Sequence, residues 1–261
     1  MDRLIDGTPD ARAVMGRLRL TIRSEDGHAR LTPDLVERLV AALEEEGPAR
    51  VVTLEGEGDA FCEGLDLSAL ARCPEGDAPG GATLALDRFA ALLQTIERTP
   101  RPVIAVVDGP ALGGGVGLAA AADMVLATPR ATFGLPETLM GLIPAMVFPA
   151  LARRVGAACA RWLALGAAVL PAADAWRIGL VDEVTDAPDR TLARHVRRLE
   201  RMDPRALASV KALVAEYHST PAPYWTDAAA HFSRLLASPE TRTRLARFAA
   251  GHTPWGDEDV P

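Results

Sequence analysis

The sequence predicts an α/β protein built from parallel strands with helices packed on them, and three observations carry that prediction. Apolar, largely β-branched runs recur at Leu18 to Ile22, Val51 to Glu55, Val103 to Val107 and from Met124, with helical patterns between the first three. Strands separated by helix-length crossovers pair in parallel and are covered by those helices. A glycine-rich turn, Asp108 to Gly117, joins the third run to the alanine-rich run Leu118 to Ala122 and reads as strand, turn, helix. The chain is 261 residues long and 49% hydrophobic, enough to bury a substantial core and too apolar for a disordered chain.

Leu18 to Ile22 is the first strand, and Thr32 to Glu46 an amphipathic helix with Thr32 or Asp34 near its N-terminus. Val51 to Glu55 leads through the polar turn Gly56 to Asp59 into Phe61 to Leu67, which enters a helical stretch continuing to Ala71. The Gly-, Pro- and Ala-rich segment Cys73 to Thr83 reads as a loop, either a closing element over a substrate or a surface excursion. Leu170 to Val184 predicts a short helix ending in Gly179 and then a strand. From Thr191 the pattern is helical, broken near Pro204 and around Ser219 to Pro223. The expected division is a core over residues 1–190 and a helical region over 191–261.

The glycine turn has two readings. Glycines let helix and strand pack closely, and they also let backbone N–H groups at the positive end of a helix approach a ligand, the geometry of an oxyanion hole. Gly113, Gly114, Gly115 and Gly117 do not give the G-x-G-x-x-G order of a dinucleotide site. A P-loop is excluded as well, because Lys211 is the only lysine in the chain.

Three blocks occur in order: Phe61-Cys62-Glu63-Gly64-Leu65-Asp66-Leu67, the glycine turn, and Phe133-Gly134-Leu135-Pro136-Glu137 continuing to Gly141-Leu142-Ile143-Pro144. Together they resemble the crotonase family, also called the enoyl-CoA hydratase/isomerase superfamily, over nearly the whole chain. The resemblance implies a crotonase-like spiral of β-β-α units with a C-terminal helical region that packs in trimers, two of which form a hexamer. It also implies that the backbone N–H groups of Leu65 and Gly114 form an oxyanion hole for a thioester carbonyl. The substrate would ride on phosphopantetheine, in coenzyme A or an acyl carrier protein, and no metal or redox cofactor is required.

Typical hydratases of this family carry one glutamate two residues after the glycine triplet and a second in the Pro-Glu block. Here the first position is Gly117, and Glu137 remains as the single candidate acid/base. Burial without a cationic partner would raise its pKa toward neutrality. One carboxylate suffices for isomerisation or for dehydration on one face, whereas ordinary hydration uses two. The segment Pro144 to Gly156 and the terminal Gly251-His252-Thr253-Pro254-Trp255 resemble the polyketide β-branching dehydratases, which act on 3-hydroxy-3-methylglutaryl groups held by a carrier protein. The related decarboxylases tend to use a lysine and a histidine near the substrate, and no lysine follows Phe61 to Leu70 here. Two other readings stay open: an enoyl-CoA isomerase or hydratase, and a catalytically silent scaffold subunit of the same fold.

Asp66 is a candidate substrate contact or a stabilising acid at a helix start, and His231 a candidate that reaches a site from the C-terminal region or a solvated histidine. A net charge of −7 excludes nonspecific nucleic-acid binding as a main activity. Arg153 and Arg154, or the run Arg194 to Arg201, are candidates for a basic patch facing an acidic carrier, or else for solvated faces and ion pairs. Arg72 and Arg88 lie near the first block without a role that spacing assigns. Cys62, Cys73 and Cys159 lack metal-ligand spacing and are expected as reduced thiols of a cytoplasmic protein, with Cys62 packing behind the oxyanion turn. No uncharged run reaches the roughly 20 residues of a membrane span, and no secretion signal is visible.

Overall fold

The computed structural model describes residues 3–4, 11–14, 16–23, 28–67, 78–218 and 220–254. A seven-stranded sheet holds β1 (Arg3–Leu4), β2 (Ala11–Val14), β3 (Arg17–Ile22), β4 (Val51–Gly56), β5 (Val103–Val107), β7 (Met124–Ala127) and β10 (Glu183–Val184) in that order. The pairs from β3 onward are parallel, and β1 to β3 are antiparallel. A second, three-stranded sheet joins β6 (Pro110–Leu112), β8 (Thr132–Gly134) and β9 (Val169–Pro171). The helices are α1 (Pro33–Glu44), α2 (Ala78–Arg98), α3 (Gly114–Ala121), α4 (Phe148–Val155), α5 (Ala157–Gly166), α6 (Ala172–Arg177), α7 (Pro188–Glu200), α8 (Pro204–Tyr217), α9 (Ala222–Ala237) and α10 (Pro239–Ala249), with a 3-10 turn over Pro136–Met140.

Both faces of the parallel strands are covered, which is why they read as continuous apolar runs instead of alternating ones. Leu18, Val52, Leu54, Ala105 and Val125 face the main core with α1, α2 and α3, while Val51, Ile104 and Leu126 meet Leu192 and Val196 of α7 on the other face. Of the two N-terminal candidates for α1, Thr32 is the cap: its hydroxyl accepts from the Leu35 N–H at 3.2 Å, and Asp34 pairs with Arg38 in the first turn.

The loop expected over Cys73 to Thr83 is corrected in part. Residues 78–83 are the first turns of α2, and 73–77 lie outside the described residues. Pro79 stands in the first turn, where its missing N–H costs no helical bond, and the buried stripe Leu86, Phe89, Leu93 and Ile96 anchors the helix. Leu67 is helical as expected, and 68–71 are outside the described residues. A further break at Ser238 separates α9 from α10: its hydroxyl accepts from the Thr241 N–H at 3.2 Å, a capping signal not read from the sequence.

The C-terminal helices are tied to the strands and to the site. Lys211 of α8, only 7% exposed, donates to the Ile96 carbonyl at 3.1 Å and pairs with Asp123, whose carboxylate also accepts from the Val103 N–H at 2.7 Å. The Thr83 and Ser233 hydroxyls meet at 3.0 Å, joining α9 to α2. Helix α10 docks on the 3-10 turn, where Thr241 donates to the Gly141 carbonyl at 3.3 Å and Arg244 to that of Leu139 at 3.1 Å.

Candidate functional site

Two glycine-bearing turns are brought side by side by strand-like contacts. Cys62 bridges Ala111 in parallel, the Leu112 N–H donates to the Cys62 carbonyl at 2.8 Å, and the Phe61 N–H to that of Pro110 at 2.9 Å. On the other side Leu31 bridges Leu65, and its N–H donates to the Gly64 carbonyl at 2.9 Å. Gly64 has φ of +91°, and a Cβ there would lie 3.0 Å from the Leu112 oxygen and 3.4 Å from the Gly114 nitrogen. Glycine is required at 64 on both counts, and the Gly114 amide therefore lies directly against the Gly64–Leu65 turn. Gly114 also opens α3, whose N-terminus adds positive potential at that amide.

The small sheet delivers the carboxylate. Register pairs Leu112 with Gly134, and the Gly113 N–H donates to the Gly134 carbonyl at 2.9 Å, so the chain leaving β8 runs past the glycine turn into Pro136 and Glu137. A Cβ at Gly113 would stand 3.0 Å from Glu137 Oε1, which fixes the carboxylate beside the turn. The Leu142 N–H donates to the Glu137 carbonyl at 2.9 Å, and Gly141, at φ of +78°, closes the turn. Glu137 is 8% exposed, and its Oε2 is buried without a hydrogen-bond partner. Burial raises its pKa from 4.5 to about 7, so both protonation states are populated near neutral pH.

Leu65, Gly114 and Glu137 open into one cavity of about 750 Å³, walled largely by apolar side chains such as Leu86, Phe89 and Met146. Gly117 does not line the cavity; it is packed behind Phe89 and Val147, which do. A Cβ at that position would lie 3.0 Å from Val147 Cγ2, 3.4 Å from Phe89 Cζ and 3.5 Å from Leu93 Cδ1, so the space has been filled by hydrocarbon. Among the described residues Glu137 is the only carboxylate in the buried core. The arrangement combines amides suited to a developing oxyanion with one proton carrier in a poorly solvated setting.

Other candidates fall in different places. Asp66 lines the cavity, half-buried, and its N–H donates to the Leu31 carbonyl at 3.3 Å. His231 does not line the Glu137 cavity: it is exposed and lines an adjoining pocket of about 360 Å³ with Tyr224 and Asp227, which shares Ile143, Pro144 and Ala145 with that cavity. Two basic-patch candidates are internal clamps instead. Arg153 pairs with Glu97 and donates to Thr220 at 3.0 Å, and Arg154 donates to the Leu180 carbonyl at 2.8 Å and that of Ala122 at 3.0 Å while pairing with Asp182. Arg88 pairs with Glu37 at 2.6 Å, and Arg72 and Cys73 lie outside the described residues. The Cys62 thiol is fully buried, its pKa pushed up to about 12 by burial, so it stays protonated.

The two cations of the cavity wall, Arg30 and Arg242, were not singled out from the sequence. Arg242 has a legible signal in retrospect. With Leu245, Ala246 and Ala249 it forms the i, i+3, i+4, i+7 face of α10, and that face lines the cavity.

Comparison with known proteins agrees with this fold. The family described as enoyl-CoA hydratase/isomerase matches residues 19–249. A probable enoyl-CoA hydratase of Rhodobacter capsulatus is 37% identical over 224 residues, covering 78% of this chain and 84% of the relative. The bacillaene synthase dehydratase PksH of Bacillus subtilis is 27% identical over 92% of this chain and 93% of its own length. A crystal structure of the pksH polyketide biosynthesis enoyl-CoA hydratase of Bacillus subtilis superposes with a TM-score of 0.83 over 93% of this chain and 97% of that one, at 24% identity. An enoyl-CoA hydratase from Mycobacterium avium superposes with a TM-score of 0.81 over 92% of this chain and 94% of that one, at 29% identity. The strand order and helix placement are those of the crotonase fold.

Proposed function

The chain belongs to the enoyl-CoA hydratase/isomerase family, and from that premise we propose that it is a hydro-lyase removing water from a 3-hydroxy-3-methylglutaryl thioester on an acyl carrier protein. The observation that carries the reading is the asymmetry of the cavity: one buried carboxylate at Glu137, and hydrocarbon around Gly117. The relative named as a bacillaene synthase dehydratase, which aligns over most of both chains, supports the same reaction class.

The thioester carbonyl sits on the amides of Leu65 and Gly114. Glu137, as the carboxylate, removes a proton from the carbon next to the carbonyl, and the electron pair moves onto the oxygen held by those amides. The enolate then collapses to form the carbon–carbon double bond, expelling the 3-hydroxyl, which takes the proton back from Glu137 and leaves as water. The carboxylate is regenerated, and the product is a 3-methylglutaconyl thioester. A pKa near 7 lets one group serve as base and then as acid. Asp66 fits a supporting role beside the Leu65 turn.

The subunit is proposed to work as a homotrimer or a hexamer. Val210, Leu213, Val214 and Tyr217 form an exposed apolar stripe on α8 that supports subunit contact, and light scattering tests it: a monomer at micromolar concentration overturns it.

Intact mass spectrometry of the hydroxymethylglutaryl-loaded carrier protein tests the reaction. Loss of one water with the wild type and none with Glu137→Gln is expected. No loss with the carrier-bound substrate, together with turnover of an enoyl-CoA without mass change, would move the assignment to a double-bond isomerase.

A further inference from the structure

We propose that Arg242 binds the distal carboxylate of the acyl group and so selects dicarboxylic thioesters over neutral ones; this rests on the dehydratase reading of the same cavity. Helix α10 presents Arg242 as the cation on an otherwise apolar face of Leu245, Ala246 and Ala249, and all four line the Glu137 cavity. The helix is held against the Glu137 turn on both sides of Arg242, by Thr241 on the Gly141 carbonyl at 3.3 Å and by Arg244 on that of Leu139 at 3.1 Å. Arg242 is itself half-buried, so its guanidinium meets a ligand in a setting with less water than an open surface. A carboxylate entering a cavity with this much hydrocarbon loses its hydration and needs a charged, forked donor to replace it.

The other cavity cation is less suited to this task. Arg30 adjoins Leu31, which bonds the Gly64 carbonyl, and so belongs to the wall of the thioester-binding turn. Arg242 lines the cavity from the helix that docks on the Glu137 turn.

Two pantetheine thioesters lacking the 3-hydroxyl separate this inference from the reaction itself. Glutaryl-pantetheine carries the distal carboxylate, and its terminal carboxamide analogue carries a neutral group of the same shape. Calorimetry on the wild type is expected to show the acid binding about tenfold or more tightly than the amide, as a charge-assisted pair would give. Arg242→Gln should abolish that preference, and Arg242→Lys should reduce it. Equal binding of the two ligands by the wild type overturns the proposal, as does a preference left intact in Arg242→Gln. If the glutamine variant does not fold, an unreduced preference in Arg242→Lys overturns it equally. A retained preference for the acid with no water loss from the hydroxymethylglutaryl substrate would remove the dehydratase reading and leave Arg242 as an anion-selecting residue. Water loss without any charge preference would do the reverse.

Discussion

Position 137 lines the cavity and position 117 lies behind the Phe89 and Val147 wall of it, and the two have opposite surroundings. Around Glu137 the backbone is turned tightly, a carboxylate oxygen is buried, and the acid is pushed up to about 7. Around Gly117 the side chains of Val147, Phe89 and Leu93 lie 3.0 to 3.5 Å from where a Cβ would be, with Val147 closer than ordinary van der Waals contact. The resemblance leads one to expect a second glutamate at position 117, and the structure has hydrocarbon around that position.

The largest expected effect comes from breaking the polar half of the contrast. Glu137→Gln should lower kcat by about 10³-fold, within the range for loss of a general acid/base, with little change in binding of the glutaryl thioester. Steady-state kinetics with calorimetry reads this, and near-normal kcat in the variant would remove Glu137 from the chemistry. Breaking the apolar half should not create a hydratase. Gly117→Glu forces a charged side chain into the contacts with Val147 and Phe89, at a cost of about 3 kcal/mol or more and roughly 6 °C or more in Tm. Thermal melting checks it, and a variant with unchanged Tm would show that the wall is open.

The raised acid also gives stability a pH signature. The native state holds the Glu137 proton up to about pH 7 and the unfolded chain only to about 4.5. The stability contributed by the protonated group is therefore fully present below about 4.5 and lost as pH rises through about 7. This amounts to about 3 kcal/mol in all, from the rule that one pKa unit is about 1.4 kcal/mol. Wild type should accordingly lose stability relative to Glu137→Gln between pH 4.5 and 7, measured by denaturant unfolding at several pH values. A constant difference across that window would place the acid in water. In the proposed mechanism the carboxylate form starts the reaction, so kcat/KM should rise with pH through about 7 as well. The smallest effect is expected at Asp66, where Asn should cost less than about tenfold in kcat/KM, since an amide still supports the helix start; a loss as large as that of Glu137→Gln would make Asp66 a second acid.

The features legible in the sequence were those with local causes. Val103 to Val107 is buried on both faces and had to be nearly all β-branched, and Gly64 and Gly113 take backbone angles that announce a turn. The start of α2 was misread because Pro79, Gly80 and Gly81 weaken a helix locally, while the stripe that stabilises it, Leu86 to Ile96, lies downstream and acts through tertiary packing. Arg153 and Arg154 illustrate the same limit, because their partners Glu97, Ala122, Leu180 and Asp182 are distant in sequence and only the fold makes them clamps. Glu137 was legible as the remaining acid, but its neighbour Gly113 and its buried oxygen required the parallel pairing of β6 with β8.

The stereochemistry of water loss tests the single-acid claim most directly. A hydroxymethylglutaryl thioester of defined configuration at C3, with deuterium at one C2 position, is converted, and the product is read for deuterium content and double-bond geometry. One carboxylate that removes the C2 proton and then protonates the 3-hydroxyl must act on a single face, so the account predicts syn elimination throughout. Anti elimination would require a second group on the opposite face and would contradict it.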